Sequence, residues 1–165
     1  NVKEIYYITE QCKNLAEKFD ADLFPFYVLD ENITKKQNFE QFKQAFVNRN
    51  GSYILGEDAA GSTLYFKRDN IPNKLDFFVR ENDAASINAE ENLKEFLDNF
   101  DEVEFEKHNS DESLAKELGI NTFPTFLVNN RVKFSGVQPP EKIKENFCKL
   151  NKLTDCEKTL STSLV

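Results

Sequence analysis

The stretch "INTFPTFLVNN", residues 120–130, places a proline directly in front of an apolar run. Proline has no backbone N–H to donate to a neighbouring strand, so it is normally excluded from the interior of a central strand. We therefore expect Pro124 to open a strand that continues as "TFLVNN". Asn129 and Asn130 tolerate positive φ angles, which predicts a tight hairpin into a second strand, "RVKFSGV" (131–137).

Upstream of this hairpin, the pattern alternates between strands and helices. "KLDFFV" (74–79) is apolar on both faces near its end, which predicts a buried central strand. A polar loop, 80–88, leads into "AEENLKEFLDNF" (89–100), where apolar residues recur at helical spacing: Leu93, Phe96, Leu97 and Phe100. Asn88 and Glu91 resemble a capping box at the start of this helix.

The same alternation continues to residue 150. "VEFEKH" (103–108) predicts a half-buried strand that turns Glu102, Glu104 and Glu106 to solvent. "SDESLAKELGI" (110–120) predicts a helix that Ser110 caps and Gly119 ends. After Pro139 and Pro140, the spacing of Ile143, Phe147 and Leu150 predicts a last helix. The predicted order over 74–150 is β-α-β-α-β-β-α, an α/β class.

Composition excludes several kinds of function. The 165 residues carry a net charge of −8, whereas a nucleic-acid partner requires clustered Lys and Arg. No apolar run approaches the roughly 20 residues of a membrane span, and no secretory signal is present. The absence of Met leads us to expect a processed form or an excised piece of a longer chain.

Motifs for cofactors and metals are absent from the sequence, so we predict neither a cofactor nor a metal site. There is no glycine-rich phosphate loop and no Ca²⁺ loop with its internal Gly. The only histidine, His108, follows a strand; because zinc needs several ligands, we expect it to have a surface role.

Cys148 and Cys156 lie close together near the end of the chain. Nothing basic surrounds them to lower a thiol pKa, which favours a structural disulfide over an exposed redox pair. The short loop limits its contribution to about 2–3 kcal/mol. A disulfide predicts an extracytoplasmic location, with which the sequons at Asn32 and Asn50 agree. Cys12 is then either a half-buried chance cysteine or a partner for an upstream segment.

The first half contains a shorter copy of the pattern in the second. "NLAEKFDADLFPFYVLDEN" (14–32) aligns with "SLAKELGINTFPTFLVNNR" (113–131), and the same 99 residues separate Leu15 from Leu114 and Pro25 from Pro124. The strand "EIYYITE" (4–10) and a helical stripe of Phe42 and Phe46 would flank the first copy. We thus predict a truncated repeat at 1–50, a β-hairpin and linker at 51–73, a full domain at 74–157 and a tail at 158–165.

The predicted order β-α-β-α-β-β-α, together with the segment "GINTFPTFLVNNRVKFSGVQPPEKI" (119–143), resembles the thioredoxin fold of the disulfide-oxidoreductase and protein-disulfide-isomerase type. Residues 74–150 resemble one such domain and residues 3–47 a truncated second one. The resemblance implies a mixed sheet flanked by helices and a cis peptide bond at Phe123–Pro124. It also implies an edge at Thr122, Phe123 and Pro124 that pairs with an extended peptide.

The chain departs from this family where its chemistry resides. The family carries a C-x-x-C motif after the first strand, at a helix N-terminus that stabilises a thiolate. The corresponding loop, 80–88, contains no cysteine, and a degenerate segment stands there instead: Asp83, Ala84, Ala85 and Ser86. The acidic Glu81 and Asp83 would raise a thiol pKa. We therefore expect no catalytic residue and no dithiol exchange at this site.

Three functions remain open. The first is a redox-inactive module outside the cytosol that binds a protein or peptide, as non-catalytic thioredoxin-like domains do by analogy. The second is the C-terminal part of a thiol-disulfide oxidoreductase whose C-x-x-C lies upstream of Asn1. The third is a structural component of a surface assembly.

Overall fold

A computed structural model describes residues 3–164. The chain divides into two compact units, Asn1–Lys67 (unit 1) and Arg68–Val165 (unit 2). The division falls inside the segment 51–73 that was predicted to link the two halves. Each unit has its own helices, strands and buried residues, and each is described separately below.

Unit 1 consists of short elements. Its helices are α1 (Glu10–Lys18), α2 (Phe39–Phe42) and α3 (Glu57–Ala60), and its strands are β1 (Leu23–Phe24), β2 (Val28–Leu29), β3 (Phe46–Arg49), β4 (Ser52–Leu55) and β5 (Leu64–Tyr65). Strand β1 pairs with β5, and β4 lies between β2 and β3, all antiparallel. Helices α2 and α3 and the five strands are each at most four residues long.

Helix α1 is the longest element of unit 1, with nine residues. The Thr9 side chain caps it by accepting the Cys12 N–H, which satisfies one of the N–H groups that a helix start leaves unpaired. Cys12 and Ala16 are buried against Phe24. The predicted strand over 4–10 is wrong: residues 3–9 form no strand, and Thr9 ends that segment as a helix cap.

The predicted hairpin within 51–73 is also wrong, because the turn lies earlier. Asn50 (φ 52°) and Gly51 (φ 77°) connect β3 to β4, the Asn-Gly geometry that two-residue hairpins prefer. Strand β4 consequently pairs with β3 and not with β5. The predicted helical stripe of Phe42 and Phe46 is wrong as well, because α2 ends at Phe42 and Phe46 begins strand β3.

Unit 2 has the predicted order of elements. These are β6 (Lys74–Val79), α4 (Ala84–Leu97), β7 (Glu104–Asn109), α5 (Ser113–Glu117), β8 (Thr125–Val128), β9 (Val132–Ser135) and α6 (Pro140–Cys148). The strands lie in the order β9-β8-β6-β7. Strand β6 runs parallel to β7 and antiparallel to β8, so the α/β class and the mixed sheet flanked by helices are confirmed.

The core of unit 2 lies between one face of this sheet and helices α4 and α6. Its fully buried members alternate along the strands and recur at helical spacing in the helices: Leu75, Phe77, Phe126, Val128, Ala89, Leu93, Phe96, Ile143 and Phe147. Phenylalanine rings stack within it, with 4.7 Å between the centroids of Phe77 and Phe126. Because side chains alternate along a strand, Asp76 and Phe78 point to the opposite face.

Three predicted details at the helix ends are wrong. Helix α4 begins at Ala84 with Asp83 as its cap, so Asn88 lies inside the helix and forms no capping box. Ser110 is not the cap of α5, because that helix begins after Glu112. Leu150 lies beyond the end of α6 and is 43% exposed.

The predicted disulfide joins Cys148 at the end of α6 to Cys156. The chain beyond it packs on unit 2: Leu160 is buried in the core cluster, and the Ser161 N–H donates to Glu95 on α4 at 2.7 Å. Over its described part, the predicted tail 158–165 is therefore held in place. None of the helices formed by residues 3–164 combines the length and apolar character needed to cross a membrane.

Candidate functional site

The segment that precedes β8 contains the three residues of the predicted peptide-binding edge, Thr122, Phe123 and Pro124. The Phe123–Pro124 peptide bond is cis, as expected, and so is Phe24–Pro25 at the corresponding place in unit 1. Thr122 is exposed, Phe123 is half-buried and Pro124 is buried. The Pro124 carbonyl accepts the Gly136 N–H at 2.9 Å, which anchors the proline beside β9. Within the described chain, no hydrogen bond involves the N–H or carbonyl of Phe123.

The start of α4 forms the second part of the site. Asp83 accepts both the N–H and the hydroxyl of Ser86, each at 2.8 Å, and the Ser86 hydroxyl in turn accepts the Arg80 N–H at 3.1 Å. The hydrogen bonds from the Ser86 hydroxyl and N–H lower the pKa of Asp83. Ala84 is exposed and Ala85 half-buried. Hydrogen bonds between side chains and the backbone thus hold the loop. Ala84 and Ala85 give it a small apolar surface at the position where a C-x-x-C motif was sought in the sequence.

Arg80 brings the two parts of the site together. Its guanidinium lies over the Phe123 ring, 5.1 Å from the centroid, a distance at which a cation and an aromatic face attract each other. Arg80 follows β6 directly and Phe123 lies just before β8, which is antiparallel to it. The contact therefore places the residues before Pro124 beside the segment that leads into α4.

A cavity of about 330 Å³ opens next to this contact. It lies at the carboxyl ends of the parallel strands β6 and β7, the position where open α/β sheets commonly bind ligands. Residues from β6, the loop after it, α4 and β7 line it: Val79, Arg80, Glu81, Asn82, Ser86, Ile87, Glu90, Lys107 and Asn109. Lys107 pairs with Glu90 at 2.6 and 2.7 Å, so its charge is largely compensated.

The side chains at this cavity suit binding better than nucleophilic chemistry. No cysteine is among the residues that line it. The Asp83 carboxylate is stabilised in its ionised form by Ser86 and is therefore a weak proton acceptor. What the site offers to a partner is an unpaired backbone at Phe123, an aromatic ring and small side chains at the helix start.

Cys12 occupies a different environment, in unit 1. It is the only cysteine outside the disulfide and is buried, and burial raises the pKa of its thiol. Cys12 lies on the wall of a cavity of about 610 Å³ whose lining is mostly apolar and includes Phe24, Pro25 and Phe26. A thiol without an activating base or cation stays protonated at neutral pH, so Cys12 is poorly suited to attack a disulfide.

One polar cluster was not predicted from the sequence. On the sheet face opposite the core, Asp76 is 1% exposed and binds His108 through Oδ1 and Nε2 at 2.8 Å. The His108 side chain is 12% exposed, so the prediction of a surface role is wrong. Glu106 is likewise not merely solvated: its ion pair with Lys74 lowers the pKa of its carboxyl group. The available signal was an aspartate in the middle of an otherwise apolar strand.

Comparison with known proteins identifies no relative. No family model matches the chain, and no curated protein or solved structure shows significant similarity to it.

Proposed function

We propose that unit 2 is a redox-inactive, thioredoxin-like module that binds an extended protein or peptide segment at the edge formed by Thr122, Phe123 and Pro124, beside the start of α4. The observation that carries this proposal is the contact between Arg80 and Phe123. It joins the two segments that the family uses around its substrate, and Phe123 keeps both backbone groups free for pairing. A strand-like peptide added there would gain main-chain hydrogen bonds.

The order β-α-β-α-β-β-α, the mixed sheet and the cis bond before Pro124 support the thioredoxin-like part of the proposal. Ala84 and Ala85 at the start of α4 support the absence of dithiol chemistry. The cis bond at Pro25 and the helix before it, in unit 1, are compatible with a second, truncated copy. The disulfide between Cys148 and Cys156 supports an extracytoplasmic location.

The principal alternative is the C-terminal part of a thiol-disulfide oxidoreductase. Because the C-x-x-C of this alternative would lie upstream of Asn1, the sequence upstream of Asn1 separates the two proposals: a C-x-x-C there would favour the oxidoreductase. The present chain itself is tested in the reduction of insulin by dithiothreitol. The binding module should add nothing to the rate with dithiothreitol alone, because Cys12 is buried and the other two cysteines form a structural bond. Catalysed precipitation of insulin would contradict the binding-module proposal. The structural-component alternative predicts no peptide affinity at the edge formed by Thr122, Phe123 and Pro124.

Binding can be tested by selecting 12-residue peptides from a random library on the full chain and measuring their affinity by fluorescence anisotropy. Ala84 is exposed at the first turn of α4, so Ala84→Trp fills the site without entering the core. We expect this variant to weaken the selected peptides by about tenfold or more, equivalent to about 1.4 kcal/mol.

The matched control is Ala59→Trp, which introduces the same exposed ring on helix α3 of unit 1. We expect its affinity to equal that of the unmodified chain. Equal weakening by both variants, or no weakening by Ala84→Trp, would place the peptide elsewhere and contradict the proposal.

A further inference from the structure

On the face of the unit 2 sheet opposite the core, a polar cluster brings three carboxylates and one ammonium together around His108. Asp76, Glu106 and Glu112 contribute three carboxylates, and Lys74 contributes one ammonium, at 3.3 Å from Asp76 and 2.9 Å from Glu106. All of these groups surround His108 or Asp76, and Asp76 is almost completely buried. The Glu106 and Glu112 side chains are 50% and 43% exposed, so the buried charge of the cluster is that of Asp76, which is costly unless cations or hydrogen bonds compensate it.

Three of these side chains have the spacing of ligands around one metal ion. A carboxylate oxygen of Asp76, one of Glu106 and a ring nitrogen of His108 all lie within 4.8 Å of one another. His108 Nε2 is 2.8 Å from Asp76 Oδ1 and 3.7 Å from Glu106 Oε2. Two ligands bound tetrahedrally to zinc at their usual lengths are about 3.4 Å apart, so these two separations bracket the required value.

The histidine is oriented in the way that metal-binding histidines usually are. Its Nδ1 faces Glu112 Oε2 at 3.1 Å, which leaves Nε2 toward Asp76 and Glu106. Glu112 is itself held by the Asn109 N–H, at 2.8 Å from its other oxygen. A carboxylate behind the histidine fixes the ring and raises its basicity as a ligand.

A second, independent observation concerns Asp76. Its Oδ2 is buried and has no hydrogen-bond partner in the described chain, although Oδ1 of the same carboxylate binds two groups. An unpaired buried carboxylate oxygen is rare in folded proteins, and a bound ion or water is one of its physical explanations. It gives the cluster ligand capacity that the protein itself does not use.

We propose that Asp76, Glu106 and His108 bind a divalent transition metal of the zinc class, in exchange for the Lys74 ammonium. Lys74 lies at the start of β6 with its side chain 16% exposed, so its long stem allows the ammonium to swing out to solvent. One imidazole and two carboxylates are a ligand set that suits Zn²⁺ and its neighbours. This proposal does not depend on peptide binding by the same unit.

The test measures the binding of Zn²⁺ to the full chain by titration calorimetry, in a non-coordinating buffer at neutral pH. Zn²⁺ is the only metal added. We expect saturable binding of one ion. His108→Ala should abolish it, and Glu112→Gln, which removes the group behind the histidine, should weaken it by about 10–100-fold. Lys74→Met should strengthen binding, because the competing ammonium is gone. Glu145→Gln is the control: it removes a carboxylate of unit 2 that pairs with Lys142 instead and should leave the affinity unchanged.

Because His108→Ala could disturb folding, a second readout uses the unmodified chain. His108 is the only histidine, so its ring nitrogens give a single set of ¹⁵N resonances. We expect Zn²⁺ to shift the Nε2 resonance strongly at one equivalent and the Nδ1 resonance less. No binding, binding with an unchanged Nε2 resonance, or equal affinity for the chain and Lys74→Met would each overturn the proposal.

Discussion

Among single residues, Asp83 has the clearest role, because it decides where α4 begins. Its carboxylate accepts two hydrogen bonds from Ser86 and satisfies an N–H that the first turn would otherwise leave unpaired. The helix consequently starts five residues earlier than its apolar periodicity predicts. That shift places Ala84 and Ala85 in the first turn, next to Arg80 and the cavity.

This capping predicts a dependence of stability on pH. The pKa of Asp83 in the folded chain lies below its ordinary value of 3.8 because of the bonds from Ser86. Its contribution to the free energy of unfolding is therefore present above that value and is lost as the pH falls through the folded pKa. Urea unfolding should show Asp83→Asn to be less stable than the unmodified chain at pH 7, with a difference that shrinks as the pH falls below about 4.

The control for this experiment is Glu91→Gln, which removes an exposed carboxylate from the same helix without touching the cap. It should not reproduce the pH-dependent difference. A difference for Asp83→Asn that stays constant from pH 7 to pH 2 would show that the carboxylate is not stabilised by Ser86 in its ionised form.

At the scale of elements, the disulfide and the residues after it attach the end of the chain to α6. Cys156 is tied to Cys148, and the following residues bind α4 and α6 through Leu160, Ser161 and Lys158, whose carbonyl accepts from Lys144. Cleaving the bond should therefore free the segment 154–161 and lower the stability of unit 2.

We expect the double variant Cys148→Ser/Cys156→Ser to lose about 2–3 kcal/mol of unfolding free energy, as a short closed loop implies. Amide hydrogen exchange should accelerate at Leu160 and Ser161 more than in β6. Treating the unmodified chain with dithiothreitol should reproduce both effects. Unchanged protection of these two amides after reduction would mean that packing alone holds the segment.

The elements of the fold also show which structural features can be predicted from hydrophobic spacing in the sequence. The strands and helices of unit 2 could be predicted because each is long enough to show its period, and β6, α4 and α6 are buried on the expected faces. Their ends could not, because caps such as Asp83 depend on hydrogen bonds that hydrophobic spacing does not reveal. In unit 1, strands of two to four residues are too short to show a period. The Asn50-Gly51 pair, which is typical of a two-residue hairpin, indicates the turn there better than the apolar runs around it do.

For the whole molecule, the two segments of the candidate site could each be predicted from the sequence, but the contact between them could not. The segments 83–86 and 122–124 follow from the resemblance to the thioredoxin fold, whereas the Arg80–Phe123 contact depends on three-dimensional neighbours. The cluster around Asp76 was missed for a similar reason: its members are dispersed from residue 74 to 112 and converge only through the parallel pairing of β6 with β7.

The central claim, that this chain binds an extended peptide beside Pro124, is tested most directly by amide chemical-shift mapping. The ¹⁵N-labelled full chain would be titrated with a peptide from the library selection. The account predicts that the largest shifts occur at Thr122, Phe123 and residues 83–87, with the Phe123 amide moving downfield as it gains a hydrogen bond. Shifts confined to unit 1, or saturable binding that leaves Thr122 and Phe123 unmoved, would contradict it.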